Sequence, residues 1–177
     1  MAILDILTYP HPNLRIKAQP IINITPEIKQ LSQDMLDTMY NANGIGLAAT
    51  QVNVPQRLLV MDLREDNIQK RYANPDATNH LEAPLVLINP EIKILTTQKF
   101  AYEEGCLSVP NVRAVVKRAA KISLSALNLA GTQITIEAND LLSTCIQHEI
   151  DHLDGKLFID YLSKLKLYKI RKQLSLD

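Results

Sequence analysis

Tryptophan is absent from this chain, and six tyrosines and two phenylalanines are its only aromatic residues. Stacking on single-stranded bases therefore has little to draw on. Two cysteines in 177 residues cannot build a disulfide scaffold. Charge of one sign is missing too, since 19 basic side chains balance 19 acidic ones. That balance gives no global pull toward nucleic acid or anionic lipid, and sequence-specific nucleic-acid binding is not expected. No apolar run approaches the ~18 residues of a membrane span. The opening MAILDILTYPHP lacks the basic and then apolar pattern of a secretory signal. At about 150 residues per domain, residues 1–177 read as one cytoplasmic domain.

Thr25-Pro26-Glu27 offers an N-cap, a first-turn proline and an acid for a helix start. Ile28, Leu31, Met35 and Met39 follow at helical spacing, and the pattern stops near Asn41. RLLVMDL and PLVLINPEI read as buried strands, with a polar surface excursion at about 64–82 between them. KISLSALNL and TQITIEA flank Ala130-Gly131 and predict a hairpin. Asn139 or Asp140 can cap a helix running to Leu153, with Gly155 at its left-handed exit. A basic helix starts near Leu162 and carries Lys164, Lys166, Lys169, Arg171 and Lys172. Helices and strands mix without a βαβ rhythm, so the class is α+β.

Residues 147–152 read QHEIDH and contain H-E-x-x-H. On a helix, His148 and His152 share a face and can ligate one divalent ion, while Glu149 is rotated toward a neighbouring water. Two satisfied histidines and a surface acid would give the same string, so a third ligand is needed. Phe158 stands where a metzincin carries its third His, and no Glu follows Glu149. Cys145 lies about 10.5 Å of helical rise from His152, too far to share an ion with it. It reads as a small apolar wall residue. His11 and His80 sit in polar surroundings and read as surface residues. Cys106, in EEGCLSVP, is then the best third ligand, with Gly105 permitting close approach. Cys-His-His leaves one position open, which is catalytic in character.

GIGLAATQ matches G-x-G-x-x-A but follows a helix and lacks a surrounding βαβ unit, so a dinucleotide site is rejected. Gly44 and Gly46 instead offer a bare backbone strip for a peptide. The Gln51 amide supplies a donor to developing negative charge.

GIGLAATQ (44–51), EGCLS (104–108) and QHEIDH (147–152), together with HPNLR and HLDGKLFIDYL, resemble the peptide deformylase family. The resemblance implies antiparallel sheets around a central metal-binding helix, with an N-terminal and a C-terminal helix. It implies removal of the N-formyl group from formylmethionine at the start of nascent polypeptides, releasing formate. By matched position it implies metal held by Cys106, His148 and His152, with Glu149 as acid/base. Gln51 and the Leu107 N–H would face the oxyanion, and Ile45, Gly46 and Gly105 would line the peptide cleft. Arg113 would face substrate, and Leu141 and Cys145 would form the methionine pocket. One divalent ion per chain is implied, ferrous in the cell, with zinc, nickel or cobalt compatible with the ligands. A ribosome-directed role for the basic C-terminal helix is a further family-level expectation. A zinc endopeptidase and a non-catalytic metal-binding module are the alternatives.

Overall fold

The computed structural model describes residues 2–63 and 84–176. The excursion expected at about 64–82 lies outside the described residues. Helix α1 (Pro26–Asn41) starts behind Thr25 and buries Ile28, Met35, Leu36 and Met39. Leu31 is only partly buried at the edge of that cluster.

Strands β1 (Gly46–Ala48), β2 (Leu58–Met61), β3 (Leu85–Ile94), β6 (Lys121–Leu127) and β7 (Gln133–Asn139) form one antiparallel sheet in the order β1-β2-β3-β6-β7. The β6–β7 hairpin turns through Gly131, whose φ of +78° requires the left-handed freedom of glycine. Strands β4 (Lys99–Cys106) and β5 (Val109–Ala119) make a separate antiparallel pair. That pair is the element the sequence pattern does not announce. Its inward face carries the buried charges Glu104 and Arg118, so apolar alternation is broken where a strand would show it.

Helix α2 (Asp140–Leu153) begins after Asn139 and runs between the two sheets. Every residue from Ser143 to Leu153 is buried, so it is a core helix and not a surface one. Leu141, Cys145, Ile146, Ile150 and Leu153 pack with Leu59, Met61 and Leu124 of the large sheet. Helix α3 (Lys164–Gln173) is capped by the Ser163 hydroxyl and buries only Ile170. Among the described residues no helix is long and apolar enough to cross a membrane.

Gly155 closes α2 at φ +71°, with its N–H donating to the His152 carbonyl at 3.1 Å. A Cβ there would stand 2.4 Å from the Arg15 carbonyl oxygen, so both the backbone setting and the space demand glycine. Gly155→Ala is expected to cost at least about 1 kcal/mol. A thermal unfolding midpoint equal to wild type would refute this.

Candidate metal centre

Three separate stretches of backbone meet at one end of the two-stranded sheet. Strand β4 delivers Cys106 at its last position, and Leu107 and Ser108 make the tight turn into β5. Helix α2 delivers His148, Glu149 and His152. The short β1 strand, followed by a 3-10 turn over Ala49–Val52, delivers Gly46 and Gln51.

Cys106 Sγ, one nitrogen of His148 and one of His152 all lie within 4.8 Å of one another. Cys106 Sγ is 3.2 Å from His152 Nε2. A sulfur and a nitrogen on one tetrahedral ion, at bonds of ~2.3 and ~2.0 Å, stand about 3.5 Å apart. The donor set therefore fits a divalent metal in both chemistry and spacing. Cys145 is absent from this group and is buried among the apolar residues of the large sheet.

The His148 ring is fixed from behind. Its Nδ1 pairs with Glu104 Oε2 at 2.8 Å, which aims the other ring nitrogen into the group. Glu104 also takes Arg118 Nε at 2.6 Å and Nη2 at 3.0 Å, and Arg118 Nη1 donates to Asp151 Oδ2 at 2.7 Å. Tyr161 completes the chain by donating to Asp151 Oδ1 at 3.0 Å. Burial alone would raise the Glu104 carboxyl, but hydrogen bonds from His148 and Arg118 hold it below the usual carboxylate range. Burial likewise pulls His148 down, yet bonds to Cys106 and Glu104 and the Glu149 charge push it up to about 10. Surroundings that hold a buried proton so firmly favour a metal cation at the same place. His152 stays well below its ordinary value through burial and the His148 charge.

Glu149 is fully buried, and burial pushes its carboxyl up to about 7 against the pull of the His148 and Arg118 charges. Its Oε1 lies against the bare Cα of Gly46, where a Cβ would come within 2.4 Å of that oxygen. Gln51 is held by Ala48 N–H, which donates to Oε1 at 2.8 Å. Its Nε2 donates to Ser108 Oγ at 3.0 Å and points at Cys106 Sγ, 3.7 Å away. The Leu107 N–H, in the turn, has no backbone acceptor among the described residues.

A cleft of about 820 Å³ opens over this group. Ile45, Gly46, Gly105, Arg113 and Cys145 line it, and Gln51, Leu107 and Glu149 line it too. Leu141 does not. It is 1% exposed and sits in the core, while Thr144 takes the cleft wall beside Cys145. Leu141 lies seven residues before His148, on the same stripe of α2 but two turns nearer the helix start, where it packs in the core with the large sheet. His11 is exposed, and His80 lies outside the described residues.

Glu104, Ser108, Arg118, Asp151 and Tyr161 were not singled out from sequence. Glu104 carried a signal, since alternation along a strand puts it on the same side as Cys106 two residues on.

A family model described as polypeptide deformylase matches residues 3–168. The chain belongs to the peptide deformylase family. It is 51% identical over 173 residues to a peptide deformylase of Nitrosococcus oceani, covering 98% of this chain and 95% of that protein. A peptide deformylase of Acinetobacter baumannii is 47% identical over 174 residues, covering 98% and 91%. The fold matches a Legionella pneumophila peptide deformylase with a TM-score of 0.84 at 40% identity, over 98% of this chain and 94% of that one. It also matches the Ehrlichia chaffeensis peptide deformylase in complex with actinonin, with a TM-score of 0.86 at 35% identity over 98% of each chain. The family's activity is metal-dependent hydrolysis that deformylates N-formylmethionine peptides. The endopeptidase and the non-catalytic module are thereby set aside.

The buried chain from His148 to Tyr161 generates a prediction. Glu104→Gln leaves Arg118 partly unpaired and frees the His148 ring, so stability is expected to fall by about 3–5 kcal/mol. Metal affinity is expected to fall about 10–100-fold. Metal titration and thermal unfolding of the variant check both, and wild-type affinity would detach Glu104 from the centre.

Proposed function

We propose that this chain removes the formyl group from formylmethionine at the N-terminus of nascent peptides in the cytoplasm, acting as one domain over residues 1–177. The proposed ligands of its divalent ion are Cys106, His148 and His152, with ferrous iron as the resident ion. Zinc, nickel and cobalt also suit a thiolate with two imidazoles. The observation that carries this reading is the convergence of the three donors with the Glu149 carboxylate at the floor of a peptide-sized cleft.

When bound, such an ion acts as a Lewis acid, acidifying water toward a pKa near 7 and polarising a carbonyl oxygen. Glu149 accepts the proton of the attacking water at its carboxylate and returns it to the departing amine nitrogen. A group that first takes and then gives a proton works best near neutral pKa, and burial supplies that environment. Gln51 Nε2 and the Leu107 N–H donate to the negative charge that grows on the formyl oxygen. The Gln51 amide is held in place for this by Ala48 N–H, so little reorientation is needed. Ile45, Gly46 and Gly105 present backbone to the peptide, and Arg113 stands exposed at the cleft. Exposed Lys164, Lys166, Lys169, Arg171 and Lys172 on α3 give a basic face for a ribosome-directed role.

Formate release from a formyl-Met peptide, with a chelator control, tests the activity. Cys106→Ala and His152→Ala are expected to lose bound metal, whereas Glu149→Ala keeps it and loses turnover. A folded but metal-free Glu149→Ala protein would make Glu149 a ligand and overturn the scheme. Gly46→Ala, which drives a methyl into Glu149 Oε1, is expected to retain metal while kcat falls about a hundredfold, as for a catalytic group displaced by an ångström. A wild-type kcat there would show that the Glu149 position is not critical.

A further inference from the structure

Two buried polar side chains that line the cleft lack a hydrogen-bond partner among the described residues: Glu149, through Oε2, and Thr144, through Oγ1. The acid/base role accounts for Glu149. Nothing in the reaction uses Thr144.

Its hydroxyl is unusual within this protein. A helical Ser or Thr ordinarily bonds back to a carbonyl one turn earlier. In α1, Thr38 donates to the Asp34 carbonyl at 2.6 Å and Ser32 to the Lys29 carbonyl at 2.7 Å. Ser143, next to Thr144, donates to the Ala119 carbonyl at 2.8 Å. Thr144 does none of this, although it is 2% exposed. A buried hydroxyl without a partner is unfavourable by about 1–3 kcal/mol. The hydroxyl exposes almost no surface as it stands, so an acceptor in the cleft relieves that cost once χ1 turns the oxygen to the wall.

Position identifies the acceptor. Thr144 precedes His148 by one helical turn, about 6 Å along α2. In a formylmethionine, five bonds separate the formyl carbon from the thioether sulfur, a reach of roughly 5–6 Å. A formyl group at the His148 end of the cleft therefore brings the sulfur level with Thr144. Ile45 and Cys145 make the adjoining wall apolar, so the threonine hydroxyl is the polar feature that such a side chain meets. Threonine in a helix has two accessible χ1 settings, which exchange hydroxyl and methyl at the wall.

We infer that Thr144 is a specificity-determining residue whose hydroxyl donates to the sulfur of the substrate's first side chain, favouring methionine over an alkyl chain of the same shape. This rests on the formylmethionine reading above. A thioether is a weak acceptor, so the preference is modest.

The test compares formate release by the metal-loaded enzyme from formyl-Met-Ala-Ser and formyl-norleucine-Ala-Ser. The methionine-to-norleucine ratio of kcat/KM is expected to fall about two- to fivefold in Thr144→Val, the size of a weak hydrogen bond. Thr144→Ser, which keeps the oxygen, is expected to hold the wild-type ratio. The thermal midpoint of Thr144→Val is expected to equal or exceed wild type, because no folded-state bond is lost. Should the valine protein fail to fold, Thr144→Ser against Thr144→Ala gives the same oxygen-for-nothing comparison. An unchanged ratio across these variants would overturn the inference, and a lowered midpoint alongside it would make Thr144 a packing residue. No formate from either peptide with wild-type enzyme would instead sink the formylmethionine reading itself, and the inference with it.

Discussion

The Arg118 guanidinium, held between Glu104 and Asp151, is the contact on which the centre depends. It ties the paired strands β4 and β5, already joined through their backbones, to α2. Two carboxylates against one guanidinium leave a formal charge of −1 in a buried place. That surplus sits against His148 through Glu104, and the Glu149 carboxylate stands nearby on the same helix. A buried negative surplus is unfavourable in isolation and becomes favourable once a cation sits among it. The scaffold's own electrostatics thus ask for the ion that the donor atoms can hold. Tyr161 screens the outer end by donating to Asp151 while its ring lies 5.0 Å under the guanidinium carbon.

The same contact explains what could and could not be read from sequence. Helix α1 was legible from its helical apolar period, β6 and β7 from alternation about a turn, β2 and β3 from short apolar runs, and α2 from its capping residues and closing glycine. Strands β4 and β5 were not, because their inward positions hold Glu104 and Arg118 where a strand normally hides apolar groups. Their outward positions, such as Lys117, Glu103 and Arg113, are charged as well, so both faces look polar. Only the pairing of the two charges across space turns that segment into a buried sheet face. Sequence alone cannot see such a pairing, since Glu104 and Arg118 are 14 residues apart.

Gly46 shows a different kind of gap. Its lack of a side chain reads naturally as room for a peptide backbone. The structure adds a tighter requirement, because the missing Cβ would collide with Glu149 Oε1. One glycine therefore lets β1 lie against the acidic residue of α2 from one side while the cleft passes on the other. Leu141 was assigned to the pocket by matched position; it packs in the core two turns before His148, while Thr144, one turn before, lines the cleft. Residue type within a motif was easier to read than how far along the helix the cleft extends.

Helix α2 brings these points together, because burial on all sides forces each of its polar groups to find a partner or carry a cost. Ser143 and Gln147 satisfy themselves on the Ala119 carbonyl, His148 on Glu104, and Asp151 on Arg118 and Tyr161. The fully buried side-chain polar atoms of α2 left without partners among the described residues are Thr144 Oγ1, Glu149 Oε2 and His152 Nδ1. A helix under pressure only to fold would have replaced such groups with apolar ones of similar size. They persist within one stretch of nine residues, flanking the donor atoms and the cleft. The pattern of unmet hydrogen bonds therefore marks the part of the helix that waits for something outside the chain, and the satisfied remainder marks the part that holds it still.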